Sequence, residues 1–166
     1  PDLVSPGTYI VGTDIRPGLY KGQAGEGLLS SCYWARLKDV SGSFDSLIAN
    51  DNSNGQFYVE IGTTDFAFET RCELRYLSEL PEPVDPFPTT ISPGTYLVNI
   101  DIQPGTYKGQ AGAEITDSCY WERMSNVSGS LDGIIANDNA NGQYYVQVNA
   151  TDFALLTQCE LERVGD

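Results

Sequence analysis

The chain contains no histidine. The commonest general acid–base group and the commonest transition-metal ligand are therefore both missing. Its four cysteines form no C-x-x-C pair, which argues against a structural zinc site. No apolar run approaches the ~18 residues that a membrane-spanning helix needs, so membrane insertion is not expected. Basic residues are scarce: nine Lys plus Arg stand against 23 Asp plus Glu, a net charge of −14. A chain this acidic repels phosphate backbones and anionic lipid surfaces, which excludes nucleic acid as a natural partner. The acids are spread along the chain rather than clustered, the pattern of a solvated exterior surface. The chain opens "PDLVSPGTY", read as a processed or trimmed N-terminus.

What is present is a repeat. Displaced by 87 residues, the sequence matches itself without a gap at about 60% of positions. "SPGTYIVGTDIRPGLYKGQAG" from Ser5 meets "SPGTYLVNIDIQPGTYKGQAG" from Ser92, and "SCYWARL" from Ser31 meets "SCYWERM" from Ser118. "TDFAFETRCEL" from Thr64 meets "TDFALLTQCEL" from Thr151. This is a tandem duplication. It divides the chain into copy one (1–77), a linker (78–90) and copy two (91–166). The linker, "SELPEPVDPFPTT", holds four prolines, a composition that favours extended polyproline geometry.

Cys32 and Cys119 occupy equivalent places, as do Cys72 and Cys159. The simplest pairing is internal, Cys32 with Cys72 and Cys119 with Cys159, although four cysteines also permit bridges between copies. A module of about 75 residues has a marginal core, so one disulfide in each is physically reasonable and implies an oxidising, extracellular compartment.

Each copy reads as all-β, a small sandwich or barrel of six or seven short strands. Alternation in "LYKGQA" puts Tyr20, Gly22 and Ala24 on one face, and Gly22 and Ala24 are candidates for making room for the indole of Trp34. "CYWARL" puts Cys32, Trp34 and Arg36 inward, with Tyr33, Ala35 and Leu37 opposite. Because Ala35 is matched by Glu122, that opposite face is expected to be partly wet. In "GQFYVEI", Phe57, Val59 and Ile61 point inward and Tyr58 and Glu60 outward. Tyr144, Val146 and Val148 match the first set, and Tyr145 and Gln147 the second. Pro17-Gly18 suits the centre of a type II turn.

The stretch "IANDNSNGQ" (48–56), repeated as "IANDNANGQ" (135–143), is the most polar block of the module. Asn54-Gly55 is a hairpin signal, since both residues accept positive φ. A calcium loop would need an acidic ligand where Ile61 and Val148 stand, so an ordered hairpin loop is the favoured reading and a recognition loop the alternative. No metal and no cofactor are expected. Asp14, Asp45, Asp51 and Asp65 recur as Asp101, Asp132, Asp138 and Asp152. They are read as turn-capping carboxylates rather than a catalytic pair.

The strings "VGTDIRPGLYKG", "SGSFDSLIANDNSNGQFYVEI" and "TDFAFETRCEL" together resemble a module common in secreted and lipid-anchored bacterial proteins. That module pairs a VGxDIxPGxY opening with an SGSxDxIIANDN block and a late cysteine. The resemblance covers both copies and implies an extracellular accessory domain, with no activity attached. Copy two departs from the opening pattern with "VNIDIQPGTY".

An enzyme is therefore not expected. The favoured function is a structural or adhesive surface protein, joined to itself or to another cell-surface component. Its candidate assembly contacts are Pro1, Asp2, Leu3 and Val4 in an extended N-terminal arm, and Val84 and Phe87 in the linker. The alternative is a carbohydrate-binding module using outward Tyr33, Tyr58, Tyr120 and Tyr145 as sugar platforms. Asp51, Asn52, Asp138 and Asn139 complete the candidate binding set.

Overall fold

The computed structural model describes residues 2–25, 27 and 29–166. It divides into two compact units. The first runs to Leu80 and also takes in Val127–Leu131; the second comprises Pro81–Asn126 and Asp132–Asp166.

Unit one is built from eight strands: β1 (Leu3–Val4), β2 (Gly7–Ile10), β3 (Gly18–Gln23), β4 (Cys32–Leu37), β5 (Leu47–Ser53), β6 (Gln56–Ile61), β7 (Ala67–Thr70) and β8 (Leu74–Leu77). They form two four-stranded antiparallel sheets, ordered β1-β8-β3-β6 and β2-β7-β4-β5. Unit two repeats the plan with β9 (Thr90–Ile91), β10 (Gly94–Leu97), β11 (Gly105–Gln110), β12 (Cys119–Met124), β13 (Ile134–Ala140), β14 (Gln143–Val148), β15 (Ala154–Thr157) and β16 (Leu161–Gly165). Its sheets are β9-β16-β11-β14 and β10-β15-β12-β13. Strand β9 starts at Thr90, the last residue of the expected linker.

Alternation explains the core. Tyr20, Phe57, Val59, Ile61 and Leu74 from one sheet meet Trp34, Ala49 and Phe68 from the other in a single buried cluster. Trp34 and Phe68 stack with ring centroids 6.2 Å apart. Gly22 has a role other than the expected one. A Cβ there would strike the ring of Phe57 and Leu74, and a Cβ at Gly109 would strike Tyr144, so the glycine makes room for its cross-strand aromatic partner rather than for the indole.

Two expectations about faces need correction. Ala35 is fully buried, in a small second cluster with Leu37 and Ala67 on the outer face of the second sheet. That face is dry around Ala35 because Ile10, Tyr33 and Leu47 pack over it; Glu122, its counterpart, is half-buried. Tyr58, expected outward, is only 4% exposed, whereas Tyr145 is 54% exposed.

The disulfides are Cys32–Cys72 and Cys119–Cys159. In unit one the bridge joins the start of β4 to the chain where it leaves β7 for β8, which belongs to the opposite sheet. Thr70 holds the same corner: its hydroxyl donates to Cys72 O at 2.8 Å and accepts from Cys72 N at 3.2 Å. Thr157 does the same for Cys159.

The repeated x-P-G-x-Y motif acquires a purpose in the fold. In all four occurrences the tyrosine hydroxyl donates to the carbonyl of the residue before the proline: Tyr9 to Ser5, Tyr20 to Arg16, Tyr96 to Ser92 and Tyr107 to Gln103, at 2.7–2.9 Å. The proline restricts the turn, the glycine supplies the backbone freedom (φ +131° at Gly18 and +141° at Gly105), and the phenol closes it. Burial raises the pKa of Tyr20, with a further upward push from Tyr76, and burial likewise raises that of Tyr107. A phenol whose folded pKa exceeds its unfolded one contributes stability that is complete below the ordinary phenol range. That contribution is lost as pH rises through the raised value. Urea titrations should therefore show stability falling above about pH 10. Each of Tyr20→Phe and Tyr107→Phe should cost about 1 kcal/mol at neutral pH. The double variant should flatten the alkaline fall; an unchanged slope would assign it to other groups.

Candidate functional site

The block "IANDNS" is a strand and not a loop. It forms the body of β5, paired along its length with β4: Trp34 lies opposite Asp51 and Tyr33 opposite Asn52. An extended, paired backbone cannot wrap a cation, which removes the calcium-loop geometry. The expected hairpin at Asn54-Gly55 is also corrected. β5 and β6 belong to different sheets, and the two residues form the corner between them. Gly55 (φ +59°) already pairs with the continuation of β3, donating to Gly25 O at 3.1 Å and accepting from Ala24 N at 2.7 Å. The turn signal was sound; what it joins was not local information.

The recurring acids have separate tasks. Asp14 accepts from Ile10 N at 2.9 Å and Asp101 from Leu97 N at 2.8 Å, each closing the turn before the x-P-G-x-Y motif. Asp51 accepts from Ser53 Oγ at 2.7 Å, and Ser53 Oγ accepts from Trp34 Nε1 at 3.0 Å, so this carboxylate anchors the core indole. In copy two Ala140 replaces that serine, and Asp138 is exposed. Asp45 sits exposed in a short 3-10 turn.

Asp65 does more than cap. It takes Gly62 N at 2.8 Å, and its two oxygens receive Arg36 Nε and Nη2 at 2.7 and 2.8 Å. The side chains are 10% and 1% exposed. Arg123 and Asp152 repeat this fork at 2.7 and 2.9 Å, and the bonds that Arg123 donates to Asp152 raise the arginine's pKa. Sequence reasoning missed this pair. Its one available signal was that Arg36 and Arg123 recur on the inward face of a core strand, where an unpaired cation would be intolerable.

Among the candidate platforms, Tyr33 is half-buried on the outer face of the second sheet, beside exposed Asn52. The guanidinium of Arg71 lies 5.2 Å from its ring centroid and 3.8 Å from Glu69. A groove of about 270 Å³ runs here, lined by Thr8, Tyr33, Asp39, Val40, Phe44 and Glu69 among others. Phe44 is 91% exposed, and Asp39 is held below the usual carboxylate range by Ser41. Tyr120 is paired differently, donating to Glu122 Oε1 at 2.5 Å and accepting from Asn137 Nδ2 at 3.1 Å. Asn139 lies opposite Tyr120 and is exposed, as is Tyr145. Asp39 and Glu69 are replaced by Asn126 and Leu156, so the groove's charged wall belongs to copy one alone.

The candidate assembly residues are engaged within their own units. Leu3 and Val4 pair with Arg75 and Leu74 as an edge strand, and Asp2 O accepts from Tyr76 N. The N-terminal segment is thus part of a sheet rather than a free arm, although Leu3 keeps 46% exposure. Val84 N donates to Ile100 O, and Phe87 is half-buried, so the linker lies along unit two. Pro1 lies outside the described residues.

Two antiparallel sandwiches, each stapled by one disulfide and repeated in tandem, define a secreted or cell-surface β-module protein. The chain belongs to the family of Rv1352-like extracellular domains, whose pattern it matches twice, over residues 2–74 and 87–160. No curated protein and no solved structure matches it.

Proposed function

We propose that the chain is a non-catalytic structural or adhesive component of the cell exterior that associates with itself. The observation that supports this reading most is the employment of the side chains that recur in both copies. Asp14 closes a turn, Arg36 and Asp65 neutralise each other, Cys32 and Cys72 are bridged, and Tyr9 and Tyr20 lock their prolines. Duplication has repeated a scaffold, and none of these groups converges on the groove. Electron microscopy of the protein in its native source tests the reading. Ordered arrays or fibres are expected, and a dispersed monomer would count against it.

One observation favours a second reading, a carbohydrate-binding role: the groove of unit one combines an aromatic ring, a fully exposed phenylalanine and two carboxylates. Sugars bind through such stacking and hydrogen bonding. On this reading a glycan array shows selective binding that Tyr33→Ala abolishes. Tyr58, being buried, is no longer a candidate.

A further inference from the structure

Unit one contains a segment from beyond its own strands, Val127–Leu131. Three contacts seat it. Glu60 N, on the edge strand β6, donates to Val127 O at 3.0 Å. Arg36 Nη1 donates to Ser128 O at 2.8 Å, while Nε and Nη2 of the same guanidinium hold Asp65. Gly129 (φ +78°) lies so close to Trp34 and Ala49 that a Cβ on it would press into the indole at 2.5 Å. Val127 itself is 3% exposed.

The seated sequence, Val-Ser-Gly-Ser at 127–130, occurs again at 40–43. The residues that receive it recur too: Trp34, Arg36 and Ala49 are repeated as Trp121, Arg123 and Ala136. Glu60 contributes only its backbone N–H, which Gln147 on β14 supplies equally. Each copy therefore encodes both a plug and a socket. Within unit one, the plug of copy two fills the socket of copy one. The remaining plug is open: Val40 is 58% exposed, and nothing lies within 4 Å of where a Cβ on Gly42 (φ +79°) would be. The remaining socket is less covered as well. Trp121 and Arg123 are half-buried where Trp34 and Arg36 are 3% and 8% exposed. Among the described residues, no carbonyl takes the place of Ser128 O at Arg123 Nη1.

We propose that residues 40–43 of one chain dock on the Trp121–Arg123–Gln147 socket of a second copy, repeating the contacts seen in unit one. Plug and socket are different surfaces, so the contact is heterologous. Each added chain presents a fresh plug and a fresh socket, so copies add head to tail, into a filament or into a ring where the rotation closes. β14 is an edge strand, so its unpaired backbone groups are available for the Gln147 contact. This inference rests on the structural reading above and supplies its joint.

The structure names a discriminating substitution. Gly42→Asn keeps the local backbone, because asparagine tolerates positive φ and has open space there, yet its Cβ would collide with Trp121 in the docked state. Val40→Glu is a second variant on the same exposed loop, placing a charge where the seated valine is buried. Sedimentation of the full chain should show a concentration-dependent series of species, with association in either variant weakened about tenfold or more. Substoichiometric Gly42→Asn chain, whose socket is intact, should shorten wild-type assemblies. Variants that assemble as well as wild type would overturn the joint alone. A wild-type chain that stays monomeric up to about 1 mM would overturn the joint and the self-associating reading together.

Discussion

Replacing Cys32 and Cys72 together by alanine should lower the stability of unit one by about 4 kcal/mol, the chain-entropy value for a closed loop of this length. The bridge spans a sequence separation of 40 and ties β4 to the point where the chain crosses between sheets. Without it, the unfolded chain regains the freedom that loop closure removed, and the crossing is left to Thr70, backbone bonds and the contacts of Arg71 with Tyr33 and Glu69. Total stabilities of small domains are about 5–15 kcal/mol, so the loss is a large share. Two thermal transitions, or one broadened transition, should appear in calorimetry of the double variant, the lower one belonging to unit one. Cys119→Ala with Cys159→Ala should move the other unit by a similar amount. A double variant that melts with the wild type would show that the sheets, not the bridge, set the stability.

Asp65→Ala should destabilise by about 3–5 kcal/mol, because it strands the Arg36 guanidinium in a site from which water is largely excluded. Two of the three guanidinium nitrogens engaged in the structure lose their acceptor, and Gly62 N loses its partner too. Asp65→Asn should cost less, since the amide oxygen still accepts. The informative comparison is the double variant Arg36→Met with Asp65→Leu. With no buried charge left unpaired, it should recover most of the loss in chemical denaturation, as the desolvation penalty vanishes with the pair. If the double variant were as unstable as Asp65→Ala, the pair would be acting through packing rather than charge.

The legible part of this protein was whatever repeats or alternates over a few residues. Phe57, Val59 and Ile61 point inward as their spacing requires, and the duplication locates both cysteines of each bridge. Asn54-Gly55 is recognisable as a turn, but its sequence does not name what it joins, because a corner between sheets and a hairpin use the same left-handed glycine. Asp65 was recognisable as a turn residue. Its bond to Arg36 was not, because the two are brought together by the pairing of β4 with β7, which is decided far along the chain. The match of Ala35 with Glu122 suggests a wet face, but a match between copies does not say what packs over each one, and Ile10, Tyr33 and Leu47 cover Ala35.

By itself the sequence determined the class of structure, the compartment, the tandem organisation and the absence of histidine chemistry, since these follow from composition, period and repetition. Only the tertiary structure decided which of two matched residues is covered. Tyr58 and Tyr145 lie within nearly the same stretch of sequence, yet one is 4% and the other 54% exposed. Val40 and Val127 differ as much, at 58% and 3%. Local sequence sets the direction of a side chain through backbone geometry, and it does so alike in both copies. Whether that side chain then meets solvent or protein depends on chain segments distant in sequence, such as Val127–Leu131 against the edge of β6.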